Sequence, residues 1–269
     1  MTDVLITEPL LRRRLRHAQP KGVLLLNDNP WLLVQNIRGV IFPWSLGYKI
    51  WWALTAAGAI WTVFWEPFQI AFLQTQQGTM VELVMTILYS VDILLNFRLA
   101  FYRNALIVFE LEEIATNYRK RMLWIDLLGV IPFQAITLLI IQNPNDSVLL
   151  YLSLLRLAKL ARAHRLKPLS DRLQYSARVS LLAFTLLRNL AAVLVVTHAA
   201  ACSMYFLARL HQFDDHTWLG PAVQNMTVLQ CYVTSLYWSV VTFCTVGYGD
   251  FSPVNVSEQI CGVFFMLVR

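Results

Sequence analysis

Residues 245–250 read Thr245-Val246-Gly247-Tyr248-Gly249-Asp250, and this stretch lies between two apolar runs. Gly247 and Gly249 alternate with Val246 and Tyr248. Glycine tolerates left-handed backbone values that L-residues avoid, so the alternation can turn successive carbonyls toward one side. Four copies around an axis would stack those carbonyls into rings, which can replace the hydration shell of a permeating cation. Asp250 closes the stretch with a carboxylate, and a ring of such carboxylates attracts cations. Just upstream, Tyr232 to Cys244 is aromatic, rich in hydroxyls and free of charge.

Composition places this stretch in a membrane. The chain has 269 residues, of which 57% are apolar and 14% charged, and its mean hydropathy is +0.53. Soluble domains carry about 25% charged residues. Several runs of about 20 apolar residues are long enough to cross a ~30 Å hydrocarbon core. The net charge of +6 falls mostly between these runs, as it does in cytoplasmic loops, so it does not call for a nucleic-acid partner. No nucleotide loop, no metal-spaced His/Cys cluster and no nucleophile with a base is evident. The expectation is therefore a protein that is not an enzyme and has no enzymatic cofactor. Cys202, Cys231, Cys244 and Cys261 are spread singly, which argues against a disulfide framework, with Cys231 the one candidate for pairing or reaction. No cleavable signal peptide is evident, so the first span would serve for targeting.

Residues 1–43 read as a cytoplasmic lead-in. Arg12, Arg13, Arg14, Arg16 and Lys21 form its basic cluster, which fits anionic inner-leaflet lipid and fits topology signalling at least as well. The first span runs from about Trp44 to Trp65, with Glu66-Pro67-Phe68 at its outer end. The second runs from about Thr79 to Phe101 and carries Glu82, Asp92, Asn96 and Arg98. Residues 102–122 form a mixed-charge connection. The third span, about Leu123 to Ile141, holds Asp126 one turn in.

The fourth span is different in kind. Leu149 to Arg165 is apolar except for Arg156, Lys159, Arg162 and Arg165, which recur at strict intervals of three. On an α-helix this spacing makes a shallow spiral stripe with roughly 4.5 Å of rise per charge. A cationic stripe inside an apolar membrane run is the pattern of a voltage sensor. A basic helix on the membrane surface, or one binding anionic partners, would explain the cations alone. Neither explains the acids in the two preceding spans. Asp92 and Asp126 would serve as inner counter-charges, with Glu82 near the outer side.

Pro168 biases its predecessor away from helix and ends the fourth span, and residues 167–179 form a short linker. The fifth span runs from about Ser180 to Leu210, with His198 read as a packed, hydrogen-bonded residue rather than a ligand. Residues 209–227 form an outer turret, where Asn225-Met226-Thr227 is a glycosylation sequon. Asn255-Val256-Ser257 also fits that pattern but lies close to the Gly-rich stretch. With the N-terminus inside, the Arg-rich connections fall inside and Asp250 falls outside, as the positive-inside rule requires. The last apolar run, Val256 to Arg269, is about 14 residues or ~21 Å of helix, which implies truncation within a sixth span.

At all six positions, residues 245–250 match the selectivity filter of potassium channels, and the overall plan resembles six-span voltage-gated potassium channels. Tyr89-Ser90-Val91-Asp92-Ile93-Leu94-Leu95-Asn96-Phe97-Arg98 is similar to the second-span ending of the ether-à-go-go, hyperpolarisation-activated and plant inward-rectifier superfamily. Tyr118-Arg119-Lys120, Trp124-Ile125-Asp126-Leu127-Leu128 and Ile131-Pro132-Phe133 resemble its third span. The resemblance implies K⁺ bound at Thr245, Val246, Gly247 and Tyr248, with Thr245 adding its hydroxyl. It implies a re-entrant pore helix whose Tyr237 and Trp238 brace Tyr248, and Cys244 stands where many members have Thr or Ser. It also implies a tetramer of identical or closely related chains. A cyclic nucleotide enters only if the protein has a C-terminal domain of the kind this superfamily carries.

The expected fold is an all-α, multi-pass membrane protein of the plasma membrane with a cytoplasmic N-terminus. A four-helix voltage-sensor bundle (44–166) precedes a pore module (180–269) of span, re-entrant helix and filter, and incomplete sixth span. The expected function is voltage-gated, potassium-selective conduction. The alternatives are a weakly selective, cyclic-nucleotide-modulated cation channel and a silent regulatory subunit.

Overall fold

The computed structural model describes residues 23–25, 39–73, 79–103, 106–133, 136, 151–167, 180–220, 223 and 225–267. Expectations for most of the 1–43 lead-in, the outer half of the third span, and the linker beyond Lys167 lie outside the described residues. The chain divides into two compact units, residues 1–53 with 90–124, and residues 54–89 with 125–269.

The first unit departs from the all-α expectation. Strands β1 (Val23–Leu25), β2 (Phe101–Arg103) and β3 (Leu106–Val108) form an antiparallel sheet in the order β1-β3-β2. Ile107 is in register with both Leu24 and Tyr102. The aromatic and β-branched residues of 101–109 favour strands, and the mixed charge of 102–122 hides this signal. Ile107, Phe42 and Ala100 make a small core, with Val40, Trp44 and Phe109 packed against it. Helix α3 (Leu111–Arg121) carries Glu112 and Glu113 in its first turn and Arg119, Lys120 and Arg121 in its last, an order that complements the helix dipole. Its Tyr118 meets Phe97 edge-on at 4.9 Å.

Helix α1 (Leu46–Phe72) is longer than expected, because it continues through Pro67. Glu66 therefore lies inside the helix and is buried. Helix α2 (Thr79–Asn96) and helix α4 (Leu123–Val130) form over residues read as the second span and the start of the third. Leu154–Leu166 is a 3-10 helix rather than an α-helix. With three residues per turn and about 2.0 Å of rise, residues three apart stack in a straight row about 6 Å apart. The expected spiral stripe is thus a line.

Helices α5 (Leu181–Leu210) and α6 (Val228–Phe243) pack against each other, and α7 (Val256–Leu267) packs on α5. Helix α5 is long and apolar enough to cross a membrane, and its Leu182, Leu186, Leu190 and Leu194 are exposed at i, i+4 spacing. An apolar face of that kind suits lipid or another subunit. The core of the second unit joins Ile70, Ala71 and Phe72 of α1 to Cys202, Tyr205, Phe206, Trp218, Cys231 and Trp238. All four cysteines are free.

Candidate functional site: a charge ladder and a carbonyl turn

Two constellations stand in the second unit. The first is a ladder of charges. Arg156, Lys159 and Arg162 on the 3-10 helix are 2%, 2% and 3% exposed. Burying three cations is costly unless partners compensate, and the partners come from three helices. Lys159 donates to Glu82 of α2 and lies 3.5 Å from Glu66 of α1. The guanidinium of Arg162 stacks 3.8 Å over the ring of Tyr89 and donates to the carbonyl of Gly129. Arg165 donates to Asp126 Oδ2 at 2.7 Å, and the other oxygen of Asp126 is 3.4 Å from His164.

Among the described residues, Arg156 Nε and Nη2, Arg162 Nε and Glu66 Oε2 have no hydrogen-bond partner. The row thus sets four cations against three carboxylates, Glu66, Glu82 and Asp126, and is not fully hydrogen-bonded. Gly129 is a steric requirement, because a Cβ there would lie 2.9 Å from both Cγ and Nε of Arg162.

Of the expected counter-charges, Glu82 and Asp126 meet the cationic row. Asp92 accepts from the indole of Trp51 at 3.0 Å. Sequence reasoning missed Glu66, Tyr89 and Gly129. In the sequence Glu66-Pro67-Phe68 reads as the outer end of the first span, whereas all three residues lie within α1. Tyr89 had a readable signal, since it follows Glu82 by seven residues and so shares its helix face.

The second constellation is the turn Thr245–Asp250. Thr245, Gly247 and Gly249 have φ of +59, +58 and +78, whereas Val246 and Tyr248 do not enter the left-handed region. The backbone thus alternates in handedness residue by residue. The amides of Val246 and Gly247 donate back to Val241 O at 3.0 and 3.3 Å, which seats the turn on the end of α6. The N-terminus of that helix is secured by a capping box between Thr227 and Gln230. Tyr237 donates to Asp250 Oδ2 at 2.9 Å. Trp238 is buried, with its ring 5.9 Å from that of Trp218. Asp250 Oδ1 accepts from Phe251 N at 3.1 Å.

Residues 48–269 match the family described as ion transport protein. The chain belongs to that family. Ion transport proteins move ions and are not enzymes, in agreement with the sequence. The chain is 30% identical over 240 residues to potassium channel AKT2 of Oryza sativa subsp. japonica, covering 86% of this chain and 28% of that protein. It is 31% identical over 237 residues to potassium channel KAT6 of the same plant, covering 85% and 39%. Potassium channel AKT1 of Arabidopsis thaliana is 29% identical over 237 residues, with coverage of 86% and 27%. The chain thus spans between about a quarter and two fifths of these relatives' length. The likeness is to plant-type potassium channels.

A third cluster surrounds Glu258, for which the sequence offers no motif. Glu258, in the first turn of α7, is fully buried. Its Oε2 accepts from Val254 N at 2.9 Å and Asn255 N at 3.4 Å, and its Oε1 accepts from Trp218 N at 3.3 Å. Asn255 accepts from Glu258 N at 2.9 Å and donates to His216 O at 3.2 Å. The second sequon's asparagine is thus engaged as a helix cap, whereas Asn225 of the first is exposed.

Proposed function

We propose that the protein is a voltage-gated, potassium-selective channel in which four chains surround the turn Thr245–Asp250. The carrying observation is the alternation of backbone handedness at Thr245, Gly247 and Gly249. That alternation is the local geometry a stack of carbonyl rings needs. The carbonyls of Thr245, Val246, Gly247 and Tyr248 would hold dehydrated K⁺, and Asp250, oriented by Tyr237, would concentrate cations at the mouth. The similarity to plant potassium channels supports the choice of K⁺ over a less selective pore.

The charge ladder supplies the gating half of this reading. Membrane potential would act on Arg156, Lys159, Arg162 and Arg165, and a charge moved through the whole field is worth ~2.3 kcal/mol per 100 mV. A shift of three residues along a 3-10 axis is about 6 Å and brings each cation to its neighbour's rung. Lys159 would then take the place of Arg162 between Tyr89 and Gly129, and Arg156 would take Lys159's place at Glu82. Asp92 remains a candidate acid for the inner side. The proposed topology is multi-pass in the plasma membrane with the N-terminus inside, a four-helix sensor module before the pore module, and Asn225 as an outer glycosylation site. Anionic inner-leaflet lipid and close relatives of the chain are the proposed partners.

The test is voltage clamp of the full-length protein with varied external K⁺. The reversal potential is expected to track the K⁺ Nernst potential and to lose that dependence in Gly247→Ala. A Cβ on a residue at φ +58 costs roughly 1–2 kcal/mol in each of four chains. A wild-type reversal near zero in mixed Na⁺ and K⁺ would move the protein to the weakly selective class.

A further inference from the structure

We propose that the outer third of α1 is held as part of the pore's frame by His198 and Arg209 of α5. In that role both are positioning residues for Glu66, one of the acids that face the cationic row. The role assigned to Glu66 rests on the voltage-sensing reading above; the grip on α1 does not.

Two polar holds act on the backbone of α1. His198 is buried, and its Nε2 lies 2.9 Å from the carbonyl oxygen of Phe64. A carbonyl only accepts, so Nε2 carries the hydrogen. Nδ1 lies 3.0 Å from the hydroxyl of Tyr232 on α6 and accepts from it. Both ring nitrogens are thus used, which defines one neutral tautomer and links α1, α5 and α6 through one side chain.

The second hold is at the helix end. Arg209 Nη1 donates to the carbonyls of Ile70, Ala71 and Leu73 at 3.3, 3.1 and 3.1 Å. Ile70 and Ala71 lie in the last turn of α1 and Leu73 just past its end, where helix carbonyls run out of intrahelical donors and a cation is favoured.

Ordinary packing accounts for a buried histidine or for a capping arginine taken singly. Three features together go beyond it. Both side chains bind main-chain oxygens, so they fix the helix itself rather than one side chain. They grip on either side of Glu66, at Phe64 and at Ile70–Leu73. Between the grips sits Pro67, which removes one intrahelical hydrogen bond and marks where the helix would otherwise bend.

Apolar contacts follow the same path. Phe72 stacks on Tyr205 at 4.0 Å, and Phe68 and Phe72 meet Tyr232 edge-on at 5.2 and 5.5 Å. Glu66 is therefore stationary relative to the pore helix, and a cation passing it moves relative to the pore.

The test uses full-length protein carrying spin labels at Leu73→Cys and Asp215→Cys. At zero voltage a narrow intrachain distance distribution is expected. It should broaden at least twofold in His198→Leu/Arg209→Met and stay narrow in His198→Gln, which keeps a donor and an acceptor. A broad wild-type distribution overturns the grip, whether or not the protein senses voltage.

Fluorescent reporters at the same sites should hold their distance across a voltage step. A pair from Tyr151→Cys to Asp215→Cys should change by several ångströms. Equal changes in both pairs would overturn the fixed frame. The double variant should retain the total gating charge while open probability at saturating voltage falls about tenfold. Unchanged open probability in a correctly assembled double variant would remove the positioning role. A narrow wild-type distribution without any gating charge would sink the voltage-sensing reading alone.

Discussion

Neutralising Arg162 gives the sharpest test of the charge ladder. In the 3-10 geometry, one three-residue step carries each of the four cations about 6 Å through a hydrocarbon core of ~30 Å. In a uniform field each charge crosses about one fifth of the potential. In the proposed tetramer sixteen cations would then move about 3.2 elementary charges, worth about 7 kcal/mol per 100 mV. Arg162→Gln removes one charge in four, so the total should fall to about 2.4 charges and the steepness of activation by a quarter. The loss should be larger if Tyr89 and Gly129 pinch the field, because Arg162 sits between them and would feel most of the drop. Gating currents recorded with the pore blocked measure the total directly, normalised to channel number. Arg162→Lys is the control: it keeps the charge but loses the planar stack on Tyr89, so its midpoint should shift at constant total charge. An unchanged total in Arg162→Gln would refute the ladder as the sensing element.

Gly129→Ala should disturb the same rung without altering any charge. The added methyl meets Arg162 at 2.9 Å, so the midpoint of the charge–voltage curve should move by tens of millivolts at constant total charge. An unmoved midpoint would mean that Arg162 does not rest against Gly129. In the separate cluster around Glu258, Glu258→Gln replaces one of two acceptor oxygens with an amide that faces backbone N–H groups. Leaving a buried donor unmatched costs about 1–3 kcal/mol, so K⁺ current should decay during sustained opening. High external K⁺ should slow the decay, because ion binding stabilises the occupied form. A steady current indifferent to external K⁺ would show that the Glu258 contacts do not support the outer mouth.

Periodicity and local chemistry make some features legible in the order of residues alone. The spacing of three in Arg156, Lys159, Arg162 and Arg165, the glycine alternation of 245–250, and acids at 82 and 126 all follow from residue type at fixed intervals. The apolar run of α5 followed from composition. Features set by long-range contacts could not be read in this way. Glu66 looked like a helix end because Pro67 follows it, yet packing against α5 carries α1 on to Phe72. The 3-10 form of Leu154–Leu166 is invisible to a pattern of period three, which an α-helix shows as a spiral. The strands at 101–108 were obscured by nearby charges, since they gain their stability from pairing with Val23–Leu25.

Residue order alone marks this chain as a membrane ion-transport protein with a row of cations and a glycine-alternating turn. These are properties of residue type and short-range spacing, on which hydration cost and backbone sterics act directly. Long-range packing sets which acid meets which cation, brings Tyr89 and Gly129 to either side of Arg162, and turns His198, Arg209 and Glu258 onto main-chain groups. Those outcomes depend on which distant segments approach within about 3 Å, the length of a hydrogen bond. A buried polar group accepts whichever partner the packing of the helices brings to it.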